Sequence, residues 1–457
     1  MEKNDLTYKK KSFYEEQTNE TLADAHLFAK DYVTYLDASK TEREAVISAI
    51  ALAEKEGFTE YKMGDKIVRG NRYYLNNRGK SLILFTPGSE DINNGIRISA
   101  AHIDSPRIDL KQVPLYEEDG MAFFKTHYYG GIRKYQWVAT PLALHGVIVK
   151  KDGTVVNVTV GEDENDPIFY INDLLPHLGK ADNQKPLGEA IEGEKLNVLC
   201  GSEPLKGEEA NGIKLHVLKL MNEKYGITEE DFLSAELSAV PAAKARDIGF
   251  DRSLIGAYGH DDRVCAYPAL RAIFEDKAPV HTLMCILADK EETGSDGNTG
   301  MQSVIFADLI SELAEQLGGN ERVVRSNSKC LSADVSAAYD PNFPSVFEKR
   351  NSALLSCGVV MTKFTGSGGK YSTNDASAEY VAWFRQVMDA QGITWQAAEL
   401  GRVDAGGGGT VAKYISGYNI DTVDLGVPVI AMHAPYEVIA KVDLYEAYRA
   451  FSAFNRF

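Results

Sequence analysis

The chain has 457 residues, of which 44% are hydrophobic, and its formal net charge at pH 7 is −17. This length suggests two or three domains with a large core, and the acidic balance argues against nucleic acid or an anionic membrane as a partner. No apolar run is long enough to span a bilayer, and the charged start of the chain, residues 1–11, lacks the apolar segment of a secretory signal. Five widely spaced cysteines without a CxxC pattern indicate reduced thiols, so we expect a cytoplasmic protein.

The N-terminal part of the chain predicts helices followed by short strands. Residues 18–57 have a helical pattern, in which Thr41 and Glu44 have the spacing of a capping box and Gly57 marks the end. Strand-like runs then follow at residues 66–69, 73–75 and 81–86.

A further alternating strand, residues 95–101, leads directly into His102 and Asp104. Residues two apart in an extended chain point to the same face. A metal-binding imidazole usually has its second nitrogen oriented by a carboxylate or a carbonyl oxygen, a role that Asp104 could fill. Two such residues could equally share an ordinary surface hydrogen bond.

The middle of the chain has a β-rich character. Residues 115–120 and the dipeptide Asp152-Gly153 predict turns, the latter within a hairpin. The pattern also predicts strands at 121–125, 142–149 and 154–158, loops at 161–166 and 179–195, and a helix near 229–236. We therefore expect an α/β domain in two parts, residues 1–110 and 246–457, separated by an inserted β-rich domain at residues 111–245.

Two adjacent glutamates, Glu291 and Glu292, follow a short apolar run at residues 281–288 that is typical of a buried strand. In open α/β sheets, ligands bind just outside the carboxyl ends of the strands. Adjacent carboxylates repel each other unless a proton or a metal ion lies between them. The alternative is a solvated acidic turn, which is the more common environment of charged residues.

Metal-type side chains recur at similar junctions elsewhere in the chain. Asp261 and Asp262 precede an apolar segment at 264–274, Asp334 follows a short run, and His433 ends a strand-like segment at 422–435. Histidines and carboxylates without cysteine fit a divalent ion such as Zn, Co or Mn. The pattern therefore favours a metal site.

Five segments carry a resemblance to a known family, and they occur in the family's order: Ala101–Pro106, Tyr129–Gly131, Leu175–Leu178, Asp289–Ser295 and Ala431–His433. They resemble the aspartyl aminopeptidase family of dinuclear zinc metallo-aminopeptidases. The resemblance implies a zinc-peptidase fold of the α/β class, in which a β-rich dimerisation domain interrupts the catalytic domain. It also implies a homo-oligomer, in which dimers assemble into a tetrahedral dodecamer, and peptides as substrates.

The same resemblance implies a role for each matching residue. His102 and Asp334 would hold one divalent metal ion, Glu292 and His433 a second one, and Asp261 would bridge both. Glu291 would be the general base, and Asp104 would support His102. His177 would stabilise the oxyanion in the site of a neighbouring subunit; otherwise it is an ordinary loop histidine.

The chain also departs from the family pattern around the substrate pocket. His260–Arg263 replaces a common Leu-Asp-Asn sequence, so Asp261 is preferred over Asp262 as the bridge by register alone. The family's histidines after Asp334 are missing, and Val138–Pro141 replaces a charged pattern. Lys370 matches a basic position that would bind an acidic N-terminal residue, but it could be a solvated loop lysine. The glycine run Gly406–Gly409 allows close backbone approach near the site.

Three functions are compatible with these residues. The first is a metallo-aminopeptidase that removes an acidic or neutral N-terminal residue from short peptides. The second is a catalytically silent oligomeric binding shell with the same fold, which the presence of Glu291 beside every expected ligand disfavours. The third is a metal-independent hydrolase with a carboxylate pair, which leaves His102 and His433 unexplained.

Overall fold

The computed structural model describes residues 6–208 and 210–457. The first five residues, part of the segment in which no secretory signal is expected, lie outside the described ranges. The helices are α1 Phe13–Glu16, α2 Asn19–Asp37, α3 Glu42–Lys55, α4 Leu187–Ala190, α5 Gly212–Tyr225, α6 His260–Glu275, α7 Ile305–Gln316, α8 Glu321–Asn327, α9 Ala378–Ala390, α10 Ala412–Ser416 and α11 Lys441–Arg456. None of the helices in these ranges is both long enough and apolar enough to cross a bilayer.

The strands form three sheets. They are β1 Phe58–Glu60, β2 Arg72–Asn77, β3 Ser81–Thr86, β4 Ile96–His102, β5 Arg107–Glu118, β6 Met121–Tyr129, β7 Leu142–Val149, β8 Val155–Val160, β9 Tyr170–Ile171, β10 Val198–Gly201, β11 Ala235–Pro241, β12 Arg246–Ile248, β13 Leu254–Ala257, β14 Thr282–Ala288, β15 Lys329–Ser332, β16 Ser336–Ala337, β17 Val359–Thr362, β18 Trp395–Ala397, β19 Asp421–Gly426, β20 Pro428–Ile430 and β21 Glu437–Ala440.

The chain divides into two compact units. The first unit contains the described residues up to Asp104, then Ala245–Met432 and Glu437–Phe457. Its main sheet has nine strands in the order β1-β2-β3-β14-β4-β15-β19-β17-β18, and a smaller sheet has the order β12-β13-β21-β20-β16. At the centre of the main sheet, β14, β4, β15 and β19 run parallel.

Both faces of the main sheet are buried, as expected for a parallel sheet covered by helices. Along β14, Leu283, Cys285 and Leu287 contribute to one hydrophobic core, together with residues of α2, α3, α6, α9 and α11. The intervening residues Met284, Ile286 and Ala288 contribute to a second core with α7 and α8. This arrangement explains why β14 is a continuous apolar run, and it confirms the expected α/β class.

The second unit contains Ser105–Lys244 together with His433–Tyr436. Its sheet has seven strands in the order β8-β7-β11-β5-β6-β10-β9, and the pairings within it are antiparallel. The hairpin expected at Asp152-Gly153 joins β7 to β8. The unit is thus rich in β-structure, and α5 is its longest helix.

Several local predictions are confirmed. Thr41 and Glu44 form the expected capping box of α3, since the Thr41 side chain accepts the backbone N–H of Glu44 and Glu44 accepts that of Thr41. The strands expected at 81–86 and 142–149 have the predicted bounds.

Other local predictions are wrong or only partly right. Residues 66–69 form no strand, because the backbone N–H groups of Ile67 and Val68 donate to the side chains of Gln316 and Tyr73 instead. The turn expected at 115–120 is shorter than predicted: β5 continues to Glu118, and the chain turns at Asp119 and Gly120 before β6. The helix expected near 229–236 is a 3-10 helix at residues 229–234, and the sequence pattern did not predict α5.

The segment 422–435 is not one strand. It contains β19 in the nine-stranded sheet and β20 in the five-stranded sheet. The chain changes sheets at Val427, whose carbonyl oxygen accepts the N–H of Ser336. His433 therefore follows β20 instead of ending a central strand.

Candidate metal centre

Three adjacent parallel strands end at one edge of the nine-stranded sheet. His102 is the last residue of β4, the Glu291–Thr293 turn follows β14, and Asp334 follows β15. Because β4 lies between the other two strands, their carboxyl ends bring these side chains together. This is the edge at which ligands bind in open α/β sheets.

The Glu291–Glu292 turn is a short 3-10 helix. Left-handed residues flank it on both sides, with φ 64° at Lys290 and 96° at Gly294. The sharp turn places Glu291 and Glu292 just beyond the end of β14, and a glycine at 294 adopts its conformation without steric strain.

Asp104 anchors this turn. Its Oδ1 accepts the backbone N–H of Glu291 at 3.1 Å, and its Oδ2 accepts that of Glu292 at 3.2 Å. The side chain is completely buried. Asp104 therefore holds the turn through two charge-assisted hydrogen bonds, a contact that its sequence pattern did not predict.

Asp104 also orients His102. The Nδ1 of His102 lies 3.0 Å from the Asp104 carbonyl oxygen and 3.3 Å from its Oδ1. Because both neighbours are acceptors, Nδ1 donates its proton to them. The other ring nitrogen, Nε2, then presents the lone pair that a metal ligand needs.

Carboxylates surround the Nε2 atom of His102. It lies 3.2 Å from Asp261 Oδ1, 3.9 Å from Asp334 Oδ1 and 4.0 Å from Glu291 Oε2. Ligand atoms within 4.8 Å of one another form three groups: His102, Glu291 and Asp334; His102, Asp261 and Glu292; and Asp261, Asp262 and Asp334. Each group offers enough donors to hold a metal ion.

Asp261 and Asp262 differ in their contacts, whereas the sequence distinguishes them as the candidate bridging ligand by register alone. Both stand at the start of α6 with non-helical backbone angles and are joined by a cis peptide bond. The Asp261 N–H donates to Glu437 Oε2 at 3.0 Å, and its carboxylate faces His102 Nε2. Asp262 Oδ2 instead accepts the backbone N–H of His102 at 3.3 Å.

The electrostatics of this cluster fit a bound cation. Burial raises the pKa of Asp262 and of Asp334 well above the usual value, and neighbouring carboxylates raise both further. Burial by itself lowers the pKa of His102, but hydrogen bonds to Asp104 and Asp261 outweigh it and raise that pKa well above its usual value. Buried like charges require a proton or a cation, and an imidazole with several carboxylates is a suitable donor set for zinc.

His433 and His177 both belong to the second unit. The Nδ1 of His433 lies 2.7 Å from the carbonyl oxygen of Gly131, so it donates its proton there. His177 is exposed in a turn after β9, next to the exposed side chains of Leu175 and Leu178. The described contacts of both histidines thus lie within the second unit.

Lys370 lies on a loop of the first unit and has a charged partner. Its Nζ is 3.0 Å from Asp375 Oδ2 and 3.7 Å from the centroid of the Phe364 ring. The glycine run packs against this loop, since Gly408 N–H donates to the carbonyl oxygen of Thr365. A Cβ at Gly407 would lie 2.5 Å from the Gly366 carbonyl oxygen, so the close approach that glycine permits here is between two segments of the chain itself.

The sequence pattern did not predict two residues near the cluster, Glu437 and Tyr414. Glu437, at the start of β21, accepts the N–H of Asp261 and is buried. The Tyr414 hydroxyl donates to the Gly294 carbonyl oxygen at 3.1 Å. Burial raises the pKa of Tyr414, as do Asp296 and Glu291. The sequence could have indicated Glu437 only by placing a glutamate at the start of an apolar strand. It contains no pattern that would have indicated Tyr414.

The fold and the cluster define a metallopeptidase of the α/β class. A family model described as aminopeptidase I zinc metalloprotease (M18) matches residues 35–455. The chain belongs to this family, and it is a metal-dependent aminopeptidase.

Individual relatives are similar over nearly the whole chain. A probable M18 family aminopeptidase 1 of Clostridium acetobutylicum is 49% identical over 460 residues, covering 99% of each chain. The crystal structure of an M18 family aminopeptidase from Thermotoga maritima has a TM-score of 0.93 at 42% identity and covers 98% of this chain and 100% of that chain. The crystal structure of aminopeptidase I from Clostridium acetobutylicum has a TM-score of 0.92 at 47% identity, with 98% and 99% coverage.

Proposed function

We propose that this aminopeptidase removes an acidic or neutral N-terminal residue from short peptides, with Glu291 as the general base. The observation that carries the proposal is the position of the Glu291 carboxylate, 4.0 Å from His102 Nε2 within a largely buried cluster of metal-type ligands. A base beside the metal ligands lies within reach of the water molecule that attacks the peptide.

The proposed ligands form two sets, one for each of two divalent metal ions. Zinc is the metal named for the family. His102 and Asp334 would hold one ion, Glu292 and His433 would hold the other, and Asp261 would contribute its carboxylate to both. The His102 and Asp261 contacts support this assignment, and the ligand role of His433 rests on the resemblance to the family. When bound, such ions act as Lewis acids that polarise the peptide carbonyl group.

Each residue of the chain then has a distinct task. Glu291 accepts a proton from the attacking water and donates it to the leaving amine. Asp104 keeps Glu291 and Glu292 in place through their backbone N–H groups and keeps the His102 proton on Nδ1. Lys370 would bind the side-chain carboxylate of an acidic N-terminal residue.

We also propose that the chain forms a homo-oligomer, with dimers assembling into a tetrahedral dodecamer, in which His177 stabilises the oxyanion in a neighbouring subunit. The exposed apolar side chains of Leu174, Leu175 and Leu178 around His177 are suited to contact another subunit. Co-expression of Glu291→Gln and His177→Ala chains tests this role. If the proposal holds, mixed oligomers regain activity that neither variant has alone; no recovery would place His177 outside a shared site.

Metal analysis together with a substrate panel tests the main function. Purified protein would be assayed with aminoacyl 7-amino-4-methylcoumarin amides carrying different N-terminal residues, before and after chelation, and then after zinc is added back. We expect bound zinc, hydrolysis of some of the panel, loss of activity on chelation and recovery with zinc. Activity that survives complete metal removal would refute the proposal.

The alternative is a catalytically silent oligomeric shell with the same fold. It predicts metal-loaded protein that is inert on the whole panel. The Glu291 carboxylate beside the metal ligands disfavours this alternative, because a binding shell has no need of a base there.

A further inference from the structure

One loop of the first unit carries an unusual arrangement of three charges. We call residues 364–375 the Lys370 loop. Its two ends are joined by an antiparallel bridge between Phe364 and Asp375, and a second bridge joins Ser367 and Tyr371. The side chain of Thr373 also accepts the backbone N–H of Thr365 at 2.9 Å. These contacts hold both ends of the loop together and fix the position of Lys370 relative to Asp375.

Asp375 lies between two ammonium groups. Its Oδ1 accepts from Lys363 Nζ at 2.5 Å, and its Oδ2 accepts from Lys370 Nζ at 3.0 Å. Both hydrogen bonds lower the pKa of Asp375 below its usual value, so this carboxylate is ionised at neutral pH. Two positive charges and one negative charge leave the cluster with a net charge of +1.

The Lys370 ammonium therefore already has a carboxylate partner within the chain. All three side chains are nearly half exposed, at 46% for each lysine and 43% for Asp375. Ion pairs at such exposure are weak and exchange partners readily. A carboxylate from a bound peptide could replace Asp375 at Lys370, and Asp375 would keep Lys363 as its partner.

We infer that Asp375 is a specificity-determining residue, which competes with the side chain of an acidic N-terminal residue for the Lys370 ammonium. The inference rests on the proposed function, in which Lys370 faces that side chain. Asp375 lowers the enzyme's preference for acidic over neutral N-terminal residues, and Lys363 offsets part of this effect by sharing the Asp375 charge. The inference therefore predicts, for each of three substitutions, whether the preference for acidic residues rises or falls.

The measured quantity is the ratio of kcat/KM for an N-terminal Asp substrate to that for its neutral isostere Asn, on the same leaving group. Asp375→Asn should raise this ratio about two- to fivefold, because Lys370 loses its internal competitor and an exposed ion pair contributes at most about 1 kcal/mol. Lys370→Met should lower it. Lys363→Met should also lower it, because Asp375 then pairs with Lys370 alone.

Two controls separate a local effect from a general change in charge. Asp152→Asn removes one negative charge from the exposed turn between β7 and β8 and should leave the ratio unchanged. Raising the ionic strength to about 0.5 M should shrink the difference between Asp375→Asn and the unmodified protein, because salt screens exposed charges. A packing defect in the loop would instead alter both substrates equally and would not respond to salt.

The outcomes distinguish this inference from the proposed function. If the unmodified protein hydrolyses the panel but Asp375→Asn leaves the Asp-to-Asn ratio unchanged or lowers it, the inference fails and the proposed function stands. If metal-loaded protein hydrolyses neither substrate nor any other member of the panel, both fail.

Discussion

The carboxylate of Asp104, two residues after His102 in the chain, accepts the backbone N–H of Glu291 at 3.1 Å, in the turn that follows β14. Through its other oxygen it holds Glu292 in the same way. One buried aspartate thus connects the end of β4 to the turn after β14. The geometry of the proposed base and of two proposed ligands therefore depends on this side chain.

Replacing Asp104 by Asn should weaken metal binding and catalysis together. One oxygen becomes an NH2 group, which would face a backbone N–H of the turn and could not accept its hydrogen bond. We expect a 10- to 100-fold loss in zinc affinity or activity, as is typical when a partner behind a metal ligand is removed. Competition with a zinc chelator and steady-state kinetics measure the two effects. Asp296→Asn, an exposed change in the same segment, is the matched control, and equal behaviour of the two variants would contradict the role of Asp104.

Glu291→Gln should separate metal binding from catalysis. Glutamine keeps the size of the side chain but cannot take the proton from water, so the rate should fall at least about 100-fold. The metal content, measured by mass spectrometry of the purified protein, should stay that of the unmodified chain. Glu315→Gln, on the exposed side of α7, makes the same chemical change at a residue outside every candidate ligand group and should keep full activity. A Glu291→Gln variant with a normal rate would remove Glu291 from the role of base.

The environment of Asp424 predicts that the stability of the protein depends on pH. This buried residue of β19 accepts the hydroxyls of Thr410 at 2.7 Å and Ser332 at 3.2 Å, and burial raises its pKa to about 7. The folded protein therefore binds more protons than the unfolded chain between about pH 4 and pH 7, so this group lowers stability as the pH rises through that range.

Asp424→Asn removes that dependence, since asparagine stays neutral and keeps an oxygen that accepts both hydroxyls. Relative to the unmodified protein, the variant should gain stability between pH 5 and pH 8, by an amount on the order of 2 kcal/mol. Urea unfolding of metal-loaded protein across this range measures the difference. Asp421→Asn, on the same strand but exposed, should show no such difference in stability from the unmodified protein. A constant difference between Asp424→Asn and the unmodified protein at every pH would contradict the raised pKa.

The cap of α3 provides a test of stability without a change in activity. Thr41 accepts the Glu44 N–H at 3.3 Å, and Glu44 Oε2 accepts the Thr41 N–H at 3.0 Å. Thr41→Ala should lower the free energy of unfolding by about 1 kcal/mol, because a backbone donor at the helix start loses its acceptor. Thr41→Ser keeps the hydroxyl and should therefore retain most of the free energy of unfolding that Thr41→Ala loses. If chemical denaturation finds Thr41→Ala as stable as the unmodified protein, the cap makes no net contribution.

The sequence predicted the parts of the site that depend on local pattern. An apolar run followed by charged residues marks both β14 with Glu291 and β4 with His102, because buried strands of parallel sheets are continuously apolar and end at the ligand-binding edge. His102, Glu291 and Asp334 were expected from such junctions, and the structure brings them together around His102 Nε2.

What the sequence could not predict depends on contacts between distant segments. Asp261 and Asp262 are chemically identical neighbours, and only the position of β4 separates the one that faces His102 Nε2 from the one that binds the His102 backbone. The apolar segment after Thr422 continues across Val427, so its hydrophobicity does not show that the chain changes sheets there. Likewise, Lys370 carries no sign in its sequence that Asp375 would be its partner.

The order of strands in the nine-stranded sheet also has a consequence for biosynthesis. Since β4 pairs with β14 and β15, the metal-type ligands around His102 come from segments that emerge from the ribosome far apart in time. A nascent chain that stops before β15 has His102, Asp261 and both glutamates but lacks Asp334, and pairings between distant segments form slowly. Aminopeptidase activity should therefore appear only after Asp334 has been synthesised and β15 has paired with β4.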